Sequence, residues 1–201
     1  MDPPSKVEQF NWFIEQMSKQ NYNLHMLIFM VSWTVCSFNY YLMIFHFQKM
    51  SGSIYLNGIS VALAEIAGCL IVGEFIKAMG VKDILDISYG LMLIATIVYM
   101  FPILSLPLWY AVILFFMRLG HTCAFAATFY GTNSLFMEEI SAIIFAICNL
   151  VARFLTIFAP LIANSDGGSP MFWYMLFTVV GLVVIQFINE KKRTNTPRGR
   201  R

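Results

Sequence analysis

Charge is scarce in this chain. Asp, Glu, Lys and Arg make up 12% of its 201 residues, against 59% hydrophobic residues, where a soluble domain of average composition carries about 25% charge. Alternation is missing too: the apolar runs are continuous, whereas the strands of a membrane barrel alternate over about ten residues. There is no P-loop, no GxSxG and no HExxH, so nothing points to nucleotide, acyl-transfer or zinc-hydrolase chemistry. Four cysteines, Cys36, Cys69, Cys123 and Cys148, lack any CxxC spacing, and the three histidines, His25, His46 and His121, form no ligand-spaced cluster with Cys or acids. The cysteines read as small apolar packing residues. No enzyme activity, cofactor, metal or nucleic-acid partner is expected.

Six long apolar segments occupy most of the chain. They are expected at about 24–46, 55–79, 85–104, 108–130, 140–163 and 171–188. A bilayer core of about 30 Å takes roughly 20 residues of helix, and inside lipid the backbone polar groups have to be satisfied within each helix. The expected fold class is an all-α membrane protein of six transmembrane helices. Residues 1–22 form an N-terminal segment, 23–188 the membrane domain and 189–201 a basic tail.

Basic residues orient the domain. Lys6 and Lys19, then Lys77 and Lys82 after the second segment, then six bases from Lys191 to Arg201 all fall on one side of a six-span arrangement, with only Lys49 opposite. Both termini are therefore expected on the positive-inside face of an integral membrane protein. The mitochondrial inner membrane and the plasma membrane both meet that description. The first twenty residues carry Asp2, Glu8 and Glu15 and no arginine, which matches neither a cleavable signal nor a transit peptide. Val7, Phe10, Phe13, Ile14 and Met17 share a helical face, read either as an interfacial helix or as a lead-in to the first span. The tail is disordered by composition and suited to loose contact with anionic headgroups.

Ionisable residues inside spans are costly and mark function or a buried partner. Glu65 lies in the second segment, Arg118 in the fourth and Arg153 in the fifth. Glu65 has two candidate partners, Arg118 and Arg153. Such residues make either a substrate or proton site or an interhelical ion pair that only fixes packing. Glu74, near the end of the second segment, is expected to snorkel. Gly120, His121 and Thr122, beside Arg118, are read as a helix-contact face.

At these positions the chain resembles the C-terminal half of a major facilitator superfamily transporter of the organic cation/anion type, over about residues 33 to 163. Trp33, Ser37, Phe38, Tyr40 and Tyr41 resemble W-x-x-x-S-F-x-Y-Y-G. Ile54-Tyr55-Leu56-Asn57, followed by Ala64-Glu65-Ile66, resembles N-I-Y-L-N…L-V-E-I. Arg118, Gly120, Thr122, Ala124 and Phe125 are similar to R-x-G-x-T-x-A-F. Cys148, Ala152-Arg153, Ile157 and Ala159-Pro160 resemble C-S-S-x-A-R-x-G-G-I-x-A-P.

Departures from the family pattern cluster at its moving parts. Its D-R-x-G-R-R gate is replaced by Lys77-Ala78-Met79-Gly80-Val81-Lys82, keeping the glycine and the last base. Its E-L-Y-P-T-x-x-R is replaced by a stretch with Ser134, Met137 and Ser141 where the acid, proline and arginine stood. Family glycines become Ile144, Ala146, Leu155 and Thr156. Glycines let helices approach and slide, and bulk in their place favours one fixed packing.

In this superfamily the substrate sits between two six-helix halves that rock against each other. Six spans offer one wall of such a cavity. The resemblance thus implies a degenerate half-transporter serving as a structural or accessory subunit among other membrane proteins. The alternative is a working half-transporter for a small organic ion, paired with itself or with a separate N-terminal half. If transport is retained, Glu65, Arg118, Arg153 and Tyr40 are the candidate substrate-binding residues.

Overall fold

A computed structural model describes residue 15 and residues 22–101, 106–164 and 169–188. The N-terminal interfacial face, Lys6, Lys19 and the basic tail lie outside these residues. The described chain is helical: α1 (Tyr22–His46), a 3-10 turn (Phe47–Lys49), α2 (Ile54–Met79), α3 (Val81–Met100), α4 (Pro107–Ser134), α5 (Glu138–Thr156), α6 (Ala159–Asn164) and α7 (Pro170–Ile185). Five helical segments, with α5 and α6 taken together, are long and apolar enough to cross a membrane. At 1.5 Å per residue, the 26 residues of α2 reach about 39 Å. This is an integral membrane protein of the helical class.

Two of the sequence expectations change. The sixth segment is shorter than expected: α7 has 16 residues, about 24 Å of helix, below the length of the other five. Its end tightens, with the N–H groups of Gln186, Phe187 and Ile188 donating to carbonyls three residues back, the geometry of a closing 3-10 turn. The fifth segment is interrupted between Thr156 and Ala159. Pro160 supplies no N–H and its ring crowds the carbonyl four residues earlier, which is that of Thr156.

Start points move as well. Helix α3 begins at Val81, four residues before the expected Leu85, because Gly80 joins α2 to α3 alone. Its φ of +98° is a conformation that side-chain-bearing residues rarely adopt. Gly80 therefore has a local structural reason of its own, the left-handed turn between the two helices.

The packing is organised around two central helices. In its most apolar stretch α1 is 67% buried and α4 50%, against 22% for α2. Helix α1 lies against α5, α6 and α7; α4 lies against α2 and α3; α1 meets α4, and α3 meets α7. With α5 and α6 counted as the fifth span and α7 as the sixth, adding three to the span number turns one set of principal pairings into the other. Each group of three spans thus lends its first helix to the other group.

Between apolar helices in lipid there is no hydrophobic driving force, so van der Waals fit and hydrogen bonds hold the bundle. Trp33 sets its ring edge-on to Phe145 of α5 at 5.1 Å and to Phe125 of α4 at 5.2 Å. Its indole N–H donates to Thr132 at 3.0 Å. Ser32 of α1 bonds the hydroxyls of Tyr89 on α3 and Thr128 on α4, both at 2.8 Å. Asn39 donates to Thr178 of α7 at 3.0 Å. Through these contacts α1 is tied to α3, α4, α5 and α7.

Candidate functional site

A cavity of about 400 Å³ opens between α1, α2, α4 and α5. The helical repeat explains its lining. Positions three, four and seven apart share a face, and α4 presents Arg118, His121, Thr122 and Phe125 to the cavity in that order. Helix α1 adds Ser37, Tyr40 and Tyr41, α2 adds Glu65 and Cys69, and α5 adds Arg153. All four candidate substrate residues, Glu65, Arg118, Arg153 and Tyr40, therefore line one space.

Glu65 takes Arg118 as its partner. Arg118 Nε donates to Glu65 Oε1 at 2.8 Å, and Nη2 reaches the same oxygen. The two side chains differ in exposure, 4% for Arg118 and 44% for Glu65. The arginine is held inside the bundle and the carboxylate closes over it from the cavity. The guanidinium carbon of Arg118 also lies 4.4 Å from the centre of the Tyr40 ring, a cation–π distance.

Arg153 has a different environment. Its Nη1 donates to the Tyr41 hydroxyl at 2.5 Å and its Nε to Asn149 Oδ1 at 3.4 Å, and the guanidinium lies 5.7 Å from the Tyr41 ring centre. Among the described residues no carboxylate lies within ion-pair distance of it. It occupies the last turn of α5, near the middle of the membrane-long segment Ile140–Ala163 that α5 and α6 form together.

The Gly120-His121-Thr122 stretch divides its work. Gly120 is a contact residue: a β-carbon there would lie 2.8 Å from the Ser88 carbonyl oxygen of α3. Thr122 packs against Gly68 of α2. His121 faces the cavity beside Tyr40, with ring centres 5.8 Å apart. It is 3% exposed, and both ring nitrogens lack a hydrogen-bond partner. Reading the whole stretch as a contact face missed this. Three residues after Arg118, His121 was on the cavity face by helical spacing alone. Cys69 also departs from the packing role expected of the cysteines: it is exposed and lines the cavity, while Cys36 and Cys148 are buried. Among the described residues no group of three His, Cys, Asp or Glu side chains could hold a metal ion.

Lys77, Gly80, Lys82, Ser134, Met137 and Ser141, the positions compared above with gate motifs, lie at the turns on one side of the bundle. Lys77 pairs with Glu74 of its own helix at 2.7 Å, both side chains well exposed, which places Glu74 at the surface. Lys82, at the start of α3, donates to the carbonyl of Gln186 beyond α7 at 3.2 Å, and the Gln186 amide donates to Asp86 at 2.5 Å. Ser134 ends α4, Met137 precedes α5 as its N-cap, and Ser141 donates to the carbonyl of Glu138 at 3.1 Å. On the opposite side Lys49 donates to Asn164 at 3.3 Å.

Compared with protein-family models and with curated proteins, the chain has no match.

Proposed function

We propose that this chain is a degenerate half of a major facilitator superfamily transporter, acting as a structural or accessory transmembrane subunit of a larger membrane assembly. The exchange of helices between two groups of three supports the half-fold, since such nested repeats build each half of that superfamily. The observation that carries the accessory role is the disposition of the gate positions. Lys77 pairs within α2, and Ser141 bonds within the first turn of α5, so neither reaches across to latch one turn to the other. Ile144, where the family has a glycine, is fully buried and favours one packing of α5. The lipid bilayer and other membrane subunits are the partners of this reading.

Purification in mild detergent tests it. The expected result is recovery of the chain in stable stoichiometry with several other membrane subunits. Recovery as an isolated homodimer that moves an organic ion in proteoliposomes overturns it.

The second reading is a working half-transporter for a small organic ion, as a homodimer or with a separate N-terminal half. The clustering of Glu65, Arg118, Arg153 and Tyr40 around one cavity favours it. On this reading Arg153→Ala abolishes uptake while the chain still inserts; undiminished uptake removes its main support.

A further inference from the structure

We infer that α3 and α7 together form a face of shortened apolar height, which thins the bilayer beside it and gathers lipids with short acyl chains there, while the face of α2 fits a bilayer of ordinary thickness. This lipid contact is independent of whether the chain serves as a subunit or moves an ion.

The height is set by polar marks at both ends of the two helices. At one end the Gln186 amide donates to Asp86 at 2.5 Å, and Lys82 donates to the Gln186 carbonyl at 3.2 Å, both at the surface. An amide neutralises no charge, so Asp86 belongs at the headgroup level rather than inside lipid. At the other end the Tyr99 hydroxyl accepts from the N–H of Ser51 at 2.9 Å, and Trp173 is exposed on α7. Tyr and Trp favour the membrane–water boundary. At roughly 1.5 Å per residue, Asp86 to Tyr99 and Trp173 to Gln186 each measure about 20 Å. The start of α3 is bonded to the end of α7, so the two measures describe one strip.

Helix α2 gives the contrast. Its outer face runs from Tyr55, 81% exposed, to Glu74, which pairs with Lys77 at the surface. That path is about 28 Å, close to the roughly 30 Å core of a typical bilayer. The strip on α3 and α7 falls about 8 Å short of α2. A span shorter than the hydrocarbon core is accommodated by thinning the bilayer or by association with another protein. The side chains decide between the two. Small and hydroxyl residues build helix contacts in membranes, and here Ser88, Thr96, Thr178 and Gly181 turn inward and are buried. The outward positions Ile87, Ile94, Ile97, Leu176, Val180 and Val183 are bulky, aliphatic and exposed, as a surface bathed in acyl chains requires.

The test places the full chain, purified with whatever subunits accompany it, in bilayers of equal parts dimyristoleoyl and dierucoyl phosphatidylcholine. One lipid or the other is brominated at its double bonds, and the quenching of Trp173 fluorescence is taken as the difference between wild type and Trp173→Phe. A reference tryptophan is introduced on α2 by Ile59→Trp, at a site 60% exposed. The ratio of short-chain to long-chain quenching is expected to be at least about two-fold higher at Trp173 than at the reference. Asp86→Leu with Gln186→Leu lengthens the strip by about one turn and is expected to lower the ratio at Trp173. Equal ratios at the two positions, or no quenching of Trp173 by either lipid, as a covering subunit would give, overturns the inference. So does a ratio that the folded double variant leaves unchanged. The comparison of Trp173 with the α2 reference needs neither polar substitution, so it decides the matter even where the double variant does not fold.

Discussion

Arg118 and Glu65 form an interhelical ion pair in which the cation is 4% exposed and the acid 44%. The asymmetry sets what each residue does. Removing the acid strands a charge that α4 holds inside the bundle, whereas removing the base leaves a carboxylate that already reaches open space. Glu65→Ala is therefore expected to destabilise by about 2 kcal/mol, below the 3–5 kcal/mol of a fully buried broken pair because Glu65 is partly solvated. Replacing both residues with apolar ones, Glu65→Leu with Arg118→Met, is expected to recover most of that loss. Thermal unfolding in detergent reads both; a double variant as unstable as Glu65→Ala contradicts the assignment.

Arg153 gives a contrasting outcome. Its side chain is exposed and bonded to Tyr41 and Asn149, so Arg153→Ala is expected to change stability by no more than about 0.5 kcal/mol. The same unfolding assay checks this. A loss comparable to that of Glu65→Ala would show that Arg153 holds the bundle together.

Two glycines are expected to respond in opposite directions. At Gly120 an added β-carbon meets the Ser88 carbonyl oxygen at 2.8 Å and Met92 Cγ at 3.0 Å, while at Gly73 it meets nothing within 4 Å. The carbonyl belongs to the α3 backbone and yields only if the helix moves. Gly120→Ala is expected to cost about 1–3 kcal/mol, and Gly73→Ala to stabilise by up to about 1 kcal/mol through helix propensity. Paired melting curves of the two variants decide it, and equal shifts would refute the close approach of α3 and α4.

The hydroxyl cluster at Ser32 ties α1 to α3 and α4 at once. Tyr89→Phe and Ser32→Ala are expected to interact by about 0.6 kcal/mol, the average for hydrogen bonds between membrane helices. A double-mutant cycle measures this coupling, and additive single effects would show that the bond contributes nothing.

Much of the fold was legible because lipid constrains sequence so strongly. Continuous apolar runs can only be helices there, and the first, second and fourth segments follow directly from that rule. The exceptions have local causes that composition does not weigh. Gly80 starts α3 early through its positive φ, Pro160 divides the fifth segment, and α7 closes in a 3-10 turn. The candidate site was legible as a set of residues, since a charge in a span stands out from its neighbours. Tyr41, Cys69 and His121 were not singled out as members, because each is ordinary in composition; of the three, His121 was within reach of helical spacing from Arg118, while Tyr41 and Cys69 join the site only through the contact of α1 and α2 with the cavity.

Glu65 could have paired with Arg118 or Arg153 on sequence grounds. The choice depends on which helices touch: α4 packs along α2, while α5 packs along α1. Thus Arg118 faces Glu65 and Arg153 faces Tyr41. By itself the sequence determined that this is a helical membrane protein and which few polar residues its spans carry, because hydropathy and helix length are local properties. Which of those residues pair with each other, which has no acid partner among the described residues, and that they surround one cavity were decided only by the tertiary structure, because pairing depends on the relative rotation and contact of helices far apart in the chain.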